Sequence, residues 1–157
     1  MLGQLNNTEI EEVLKKQLIG RIGCHTNGTT YIVPISYAYD GTYIYGHTYE
    51  GMKMQMMRSN PIVCFEVDIM ENMANWNSVI CQGEFEEVTD SKEREKGINL
   101  LLNRSLPYIT SETVQLTPHW PFQTNNLDKI DGIIFRIKLK EKTGRYEAQG
   151  EATYYAS

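Results

Sequence analysis

The sequence predicts a mainly β protein, about six antiparallel strands closed into a barrel with helices inserted between them. Three observations predict it. Asn27-Gly28 and Asp40-Gly41 each stand between alternating runs, the strongest short-range hairpin signal. Residues 76–88 and 131–141 read as long strands, with Val79, Cys81 and Phe85 on one face of the first and Ile133, Phe135, Ile137 and Leu139 on one face of the second. Strands this apolar leave hazardous edges unless the sheet closes on itself.

The elements follow in order. Thr8 with Glu11 reads as a capping box, and Ile10, Val13, Leu14 and Leu18 follow at helical spacing, with Gly20 as the stop. Residues 21–26 form a strand joined through Asn27-Gly28 to the strand that begins at Tyr31. With the run after Asp40-Gly41 these make a three-stranded meander. Residues 51–59 are a short Met-rich helix ended by Asn60-Pro61. Residues 62–68 are nearly all apolar, as a strand buried on both faces would be, and 69–75 are a polar connection. Asp90 with Glu93 caps a second long helix carrying Ile98, Leu101 and Leu102 on one side. Residues 106–129 show no period and contain Pro107, Pro118 and Pro121; a connection of that length is usually functional or docks on a partner. The tail, 144–157, has few apolar anchors.

Composition bounds the function. The 157 residues suit one domain, 1–157, with a sizeable core. The net charge of -5 without any Lys/Arg cluster argues against nucleic acid as a partner. The N-terminus lacks an apolar signal region and no run reaches membrane-spanning length, so a soluble, cytoplasmic protein without a membrane partner is expected. The 3 cysteines, Cys24, Cys64 and Cys81, are widely spaced in apolar runs and read as buried reduced thiols, not metal ligands. No Ser/His/Asp set, zinc spacing or Gly-rich nucleotide fingerprint is present.

The stretch 31–53 carries the chemistry. A turn centred on Asp40-Gly41 sets Tyr37 opposite Ile44, Ser36 opposite Tyr45 and Pro34 opposite His47. One face then holds Val33, Ile35, Tyr37 and Ile44, an ordinary core. The other holds Pro34, Ser36 and Ala38 beside Tyr43, Tyr45 and His47, a shallow trough for a flat ligand. Pro34 donates no backbone bond, so its strand should be an edge or locally open at that point. Lys53 follows at the start of a helix, where backbone N–H groups, the helix dipole and an ammonium suit a phosphate. A flat ring on a strand with its phosphate at a lysine outlines a flavin mononucleotide site.

The segments VPISYAYDGTYIYGHTYEGMKMQMM, NPIVCFEVD and WNSVICQGEFEEV resemble the flavin-binding split barrels related to pyridoxamine 5'-phosphate oxidase, most of all the nitroimidazole-resistance (Nim-type) subgroup. The resemblance covers residues 19–102, and the strand 133–140 fits the family's last barrel strand. It implies a six-stranded split barrel with flanking helices and a homodimer holding two flavins at the subunit interface. Carried over residue by residue, it implies that Pro34, Ile35, Ser36 and Tyr37 lie along the flavin ring. Tyr45, His47 and Thr48 would meet the ribityl and phosphate, Lys53 would bind the phosphate, and Trp76 and Ser78 would approach the cofactor. Many members carry an arginine just before that lysine, where this chain has Met52. The true oxidases also end in an arginine-rich R-L-x-P motif, where this chain has GRYEAQGEATYYAS, so pyridoxamine phosphate is not the expected substrate.

The expectation is therefore an FMN-dependent oxidoreductase, with FAD as the alternative cofactor, that reduces a small planar acceptor such as a nitroaromatic. His47 is the candidate catalytic group; its other reading is a strand histidine bonded to backbone. A protein that holds flavin or haem without turnover is the alternative, haem needing an axial ligand such as His47 or His119.

Overall fold

The computed structural model describes residues 1–104 and 130–150. Its elements are β1 (Leu2–Gln4), α1 (Asn7–Lys16), β2 (Ile19–Thr26), β3 (Thr29–Ser36), β4 (Ala38–Tyr39), β5 (Tyr43–Thr48), α2 (Met52–Ser59), β6 (Ile62–Asn72), β7 (Asn75–Glu87), α3 (Ser91–Leu102) and β8 (Ile133–Glu147). The expectations for residues 106–129, including His119, fall outside the described residues.

The strands form one sheet in the order β3-β2-β6-β7-β8-β5-β4, with β1 against the end of β8, and every pairing is antiparallel. Its two edges, β3 and β4, are consecutive in sequence, separated by Tyr37 alone. The sheet curls until those edges meet at Tyr37 and part beyond it, which makes a split barrel. Tyr37 is pinned there: its amide donates to Leu18 O at 3.0 Å and its hydroxyl to Leu14 O at 2.7 Å. The sheet has eight strands where six were expected. The additional β1 and β4 have 3 and 2 residues, too few to show a period.

The inward side chains, among them Ile22, Ile44, Phe65, Val67, Val79, Cys81, Phe85 and Phe135, form the main core. Helix α1 closes it with Ile10, Val13 and Leu14, and α2 with Met54, Met56 and Met57. Outside the barrel, α3 lies over β4, β5 and β8. There Ile98 and Leu101 pack on Ala38, Val88, Ile130 and Ile134.

Five local expectations are corrected. The capping box of α1 is Asn6 with Glu9, not Thr8 with Glu11: Asn6 keeps an extended backbone and its side chain accepts from Glu9 N, while Thr8 already lies inside the helix. The turn after β4 is shifted, because the Asp40 carboxylate accepts from Thr42 N at 2.9 Å and Tyr43 N at 2.7 Å. Tyr39 therefore pairs with Ile44 and Ala38 with Tyr45, and Pro34 pairs with Arg21 of β2 instead of His47. Strand β6 is buried on one face only, through Val63, Phe65 and Val67. Residues 69–75 are not a loose connection, since β6 and β7 continue to a tight turn in which Asn72 Oδ1 accepts from Ala74 N and Asn75 Nδ2. Strand β8 likewise runs on to Glu147, so the start of the tail is held between β7 and β1.

Candidate functional site

The pairing brings distant parts of the sequence onto one bare surface. Across the outer face, Pro34 is opposite Arg21, Arg21 opposite Glu66, Glu66 opposite Ile80 and Ile80 opposite Thr143. Ser36, two residues from Pro34, shares this face, as do Ser78 and Trp76 by alternation along β7. Four of the expected site residues, Pro34, Ser36, Trp76 and Ser78, thus lie on one surface. No helix covers it among the described residues, and it exposes Ile19, Ile32, Ile62, Met70 and Ile80, Ile32 and Met70 each 66% accessible. Patches of this kind on a small domain mark binding surfaces. Trp76 and Ser78 line a hollow of about 180 Å³ with Ile80, Thr143, Gly144 and Arg145. The Trp76 indole N–H donates to Glu147 Oε2 at 3.1 Å, and the Ser78 hydroxyl to Glu66 Oε1 at 3.4 Å. Pro34 is on an edge strand, as expected, since β3 pairs with β2 alone.

Ile35 and Tyr37 point the other way, into the core. The expected trough does not open beside Tyr45. Tyr45 is fully buried, and a Cβ added at Gly97 of α3 would come within 2.9 Å of its ring, so the helix fills that face. His47 and Thr48 are also buried. His47 Nε2 lies 2.6 Å from Asp131 O, which fixes Nε2–H as the donor there, and its ring meets Tyr49 edge-on.

Lys53 sits in the first turn of α2. The helix is preceded by Gly51, which supplies no side-chain cap, and a Cβ at Gly51 would meet nothing within 4 Å. The first amides of the helix therefore lack a side-chain cap. Glu50, the nearest acid in sequence, is held by Arg58 through two bonds of 2.8 and 2.7 Å, and Arg58 also reaches Glu87. Lys53 itself has no carboxylate partner among the described residues. Burial pushes its pKa below the ordinary lysine value, with the neighbouring Cys24 thiol opposing that shift. A half-buried, unpaired ammonium at an uncapped helix N-terminus suits a phosphate. Met52, at the place of the family arginine, is exposed.

Sequence reasoning missed Arg104, just past α3. Its Nε donates to Leu101 O at 2.9 Å, and its Nη1 to Ser36 Oγ at 2.6 Å and Tyr37 O at 3.2 Å. Its only local signal is a basic residue where a helix ends, which serves the terminal carbonyls. The contact to Ser36 spans 68 residues and has no sequence signature.

Comparisons with known proteins agree with this architecture. An uncharacterised protein of Rhizobium meliloti is 27% identical over 159 residues, covering 94% of this chain and 96% of that protein. The crystal structure of an FAD-binding protein from Mesorhizobium loti superposes with a TM-score of 0.72 at 27% identity, covering 94% of this chain and 99% of that one. A structure from Bacteroides thetaiotaomicron, provisionally assigned to 5-nitroimidazole antibiotic resistance, shares the fold with a TM-score of 0.71 at 16% identity, covering 93% and 87% of the two chains. The family described as pyridoxamine 5'-phosphate oxidase matches residues 6–146, nearly the whole chain. The chain therefore belongs to the pyridoxamine 5'-phosphate oxidase family.

Proposed function

We propose that this protein binds a flavin phosphate, FMN in the first instance and FAD in the second, as a homodimer built on the bare face of β3, β2, β6 and β7. The observation that carries the reading is Lys53, a half-buried cation at a helix N-terminus without a side-chain cap, with no acid to neutralise it among the described residues. The FAD bound by the Mesorhizobium loti relative supports the cofactor class. The exposed isoleucines and Met70 support the dimer, because a single chain gains nothing from displaying them.

In this reading Lys53 and the first amides of α2 hold the phosphate, while Pro34 and Ser36 support the ring from the edge strand. The flavin supplies the electron chemistry, and the chain supplies position and charge. The acceptor is a small planar molecule, with nitroaromatics the first class to test. His47 has its Nε2 committed to Asp131 O, which favours a second reading in which flavin is held without turnover.

Mass identification of the compound that co-purifies, with its absorbance spectrum, tests the proposal. FMN or FAD in near-stoichiometric amount is expected, and a colourless protein that takes up neither contradicts it. Reduction of bound flavin by dithionite or a nicotinamide nucleotide, followed by reoxidation with a nitroaromatic, separates the two readings. Reoxidation no faster than that by buffer oxygen leaves the non-catalytic one.

A further inference from the structure

Arg104 is a second cation that a phosphate at Lys53 leaves unexplained. It is half-buried between the end of α3 and the corner where β3 meets β4. Its hydrogen bonds go to Leu101 O, Ser36 Oγ and Tyr37 O, all neutral groups, and none of them uses Nη2. No carboxylate meets it among the described residues, in contrast to Arg136, which bonds to both Glu86 and Glu93. Burial alone holds its pKa below the ordinary arginine range. A guanidinium withdrawn from water without a counter-charge is costly, and an anion brought by a ligand would offset that cost.

The position of Arg104 selects the anion. Lys53 neighbours Cys24, whose cross-strand partner on β3 is Tyr31. Arg104 bonds to Ser36, at the opposite end of β3. From residue 31 to residue 36 the strand advances about 16 Å, at ~3.3 Å per residue. In the flavin reading Ser36 supports the ring, so the part of the cofactor nearest Arg104 is the ring and not the phosphate held at Lys53. The ring is neutral when oxidised. Two electrons and one proton leave it with a negative charge on its pyrimidine side, while the guanidinium keeps its own protons. A planar, delocalised cation matches a planar, delocalised anion.

We propose that Arg104 is the counter-cation for the charge that the bound flavin ring gains on reduction, with Ser36 orienting the guanidinium toward it. The proposal rests on the flavin reading and deepens it. Arg104 is then a positioning and tuning group that favours the reduced cofactor.

Dithionite titration of the flavin-loaded protein against a reference dye tests it. Arg104→Gln should lose ten- to a hundredfold of the preference for reduced over oxidised flavin, a midpoint lower by about 30–60 mV for this two-electron couple. Affinity for oxidised flavin should change by less than threefold, and Arg104→Lys should keep most of the wild-type midpoint. A midpoint changed by less than about 9 mV, a twofold effect, overturns the proposal. So does an equal loss of affinity for both oxidation states, which would mark a permanent anion such as a second phosphate. If Arg104→Gln does not fold, the wild-type protein decides: its midpoint must lie above that of free flavin, and one below it overturns the proposal. A wild-type protein that binds no flavin removes the earlier reading as well.

Discussion

The outer face of the sheet has two halves with opposite fates. Over β4, β5 and β8 it is covered by α3: Ile98 and Leu101 are buried against Ile134, and Tyr45 is sealed under Gly97. Arg136 on that side is met by Glu86 and Glu93 and stacks on the Tyr43 ring at 4.3 Å. Over β3, β2, β6 and β7 no helix of the described residues covers the sheet, and isoleucines face outward. Arg104 stands at the margin of this bare half, bonded to Ser36, and Lys53 in the first turn of α2; neither meets a carboxylate among the described residues. Where the chain satisfies its own apolar surface and charge, the residues are structural. Where the described residues leave both open, the proposed flavin and second copy would complete them.

Three changes probe that contrast, taken from the largest effect to the smallest. Ile98→Ala removes a fully buried side chain from the covered half and should cost about 2–5 kcal/mol in thermal or denaturant unfolding. A loss below ~1 kcal/mol would mean that α3 is not the lid described here. Ile32→Glu alters the bare half, opposite Gly23, and should shift the stability of the fold by only ~0.5 kcal/mol. The same change should drive the protein toward monomer in light scattering. A variant that stays dimeric with wild-type affinity would move the interface elsewhere.

The third change concerns pH. Burial lowers the folded pKa of Lys53 below its unfolded value, so between the two the unfolded chain holds more protons and stability rises with pH. The window lies below the ordinary lysine value of about 10.4. In the cofactor-free protein, wild type should therefore gain stability relative to Lys53→Met as pH is raised toward that value. Parallel profiles would show that Lys53 is not desolvated.

Much of this arrangement was legible in the sequence, for local reasons. Asn27-Gly28 gave the β2–β3 hairpin, and both residues adopt the positive φ that such a turn requires, 50° and 76°. Asp90 gave the start of α3, where its side chain accepts from Glu93 N. The alternation of β7 placed Val79, Cys81 and Phe85 inside. The β4–β5 turn was misplaced because the Asp40 carboxylate claims two amides, a competition between side chain and backbone that the dipeptide signal does not contain. The trough at Tyr45 was misjudged because α3, more than 45 residues downstream, packs into it; a strand's alternation says which residues share a face but not what covers that face. Arg104 escaped for the same reason, as its meaning lies in Ser36.

Titration of the cofactor-free protein with FMN, wild type against Lys53→Ala, tests the central claim most directly. A charge-assisted bond to phosphate contributes roughly 1.5–3 kcal/mol, so the variant should bind ten- to a hundredfold more weakly. Equal affinity in the two proteins, with both folded, would contradict the account by showing that the uncapped helix N-terminus at Lys53 is not where the phosphate sits.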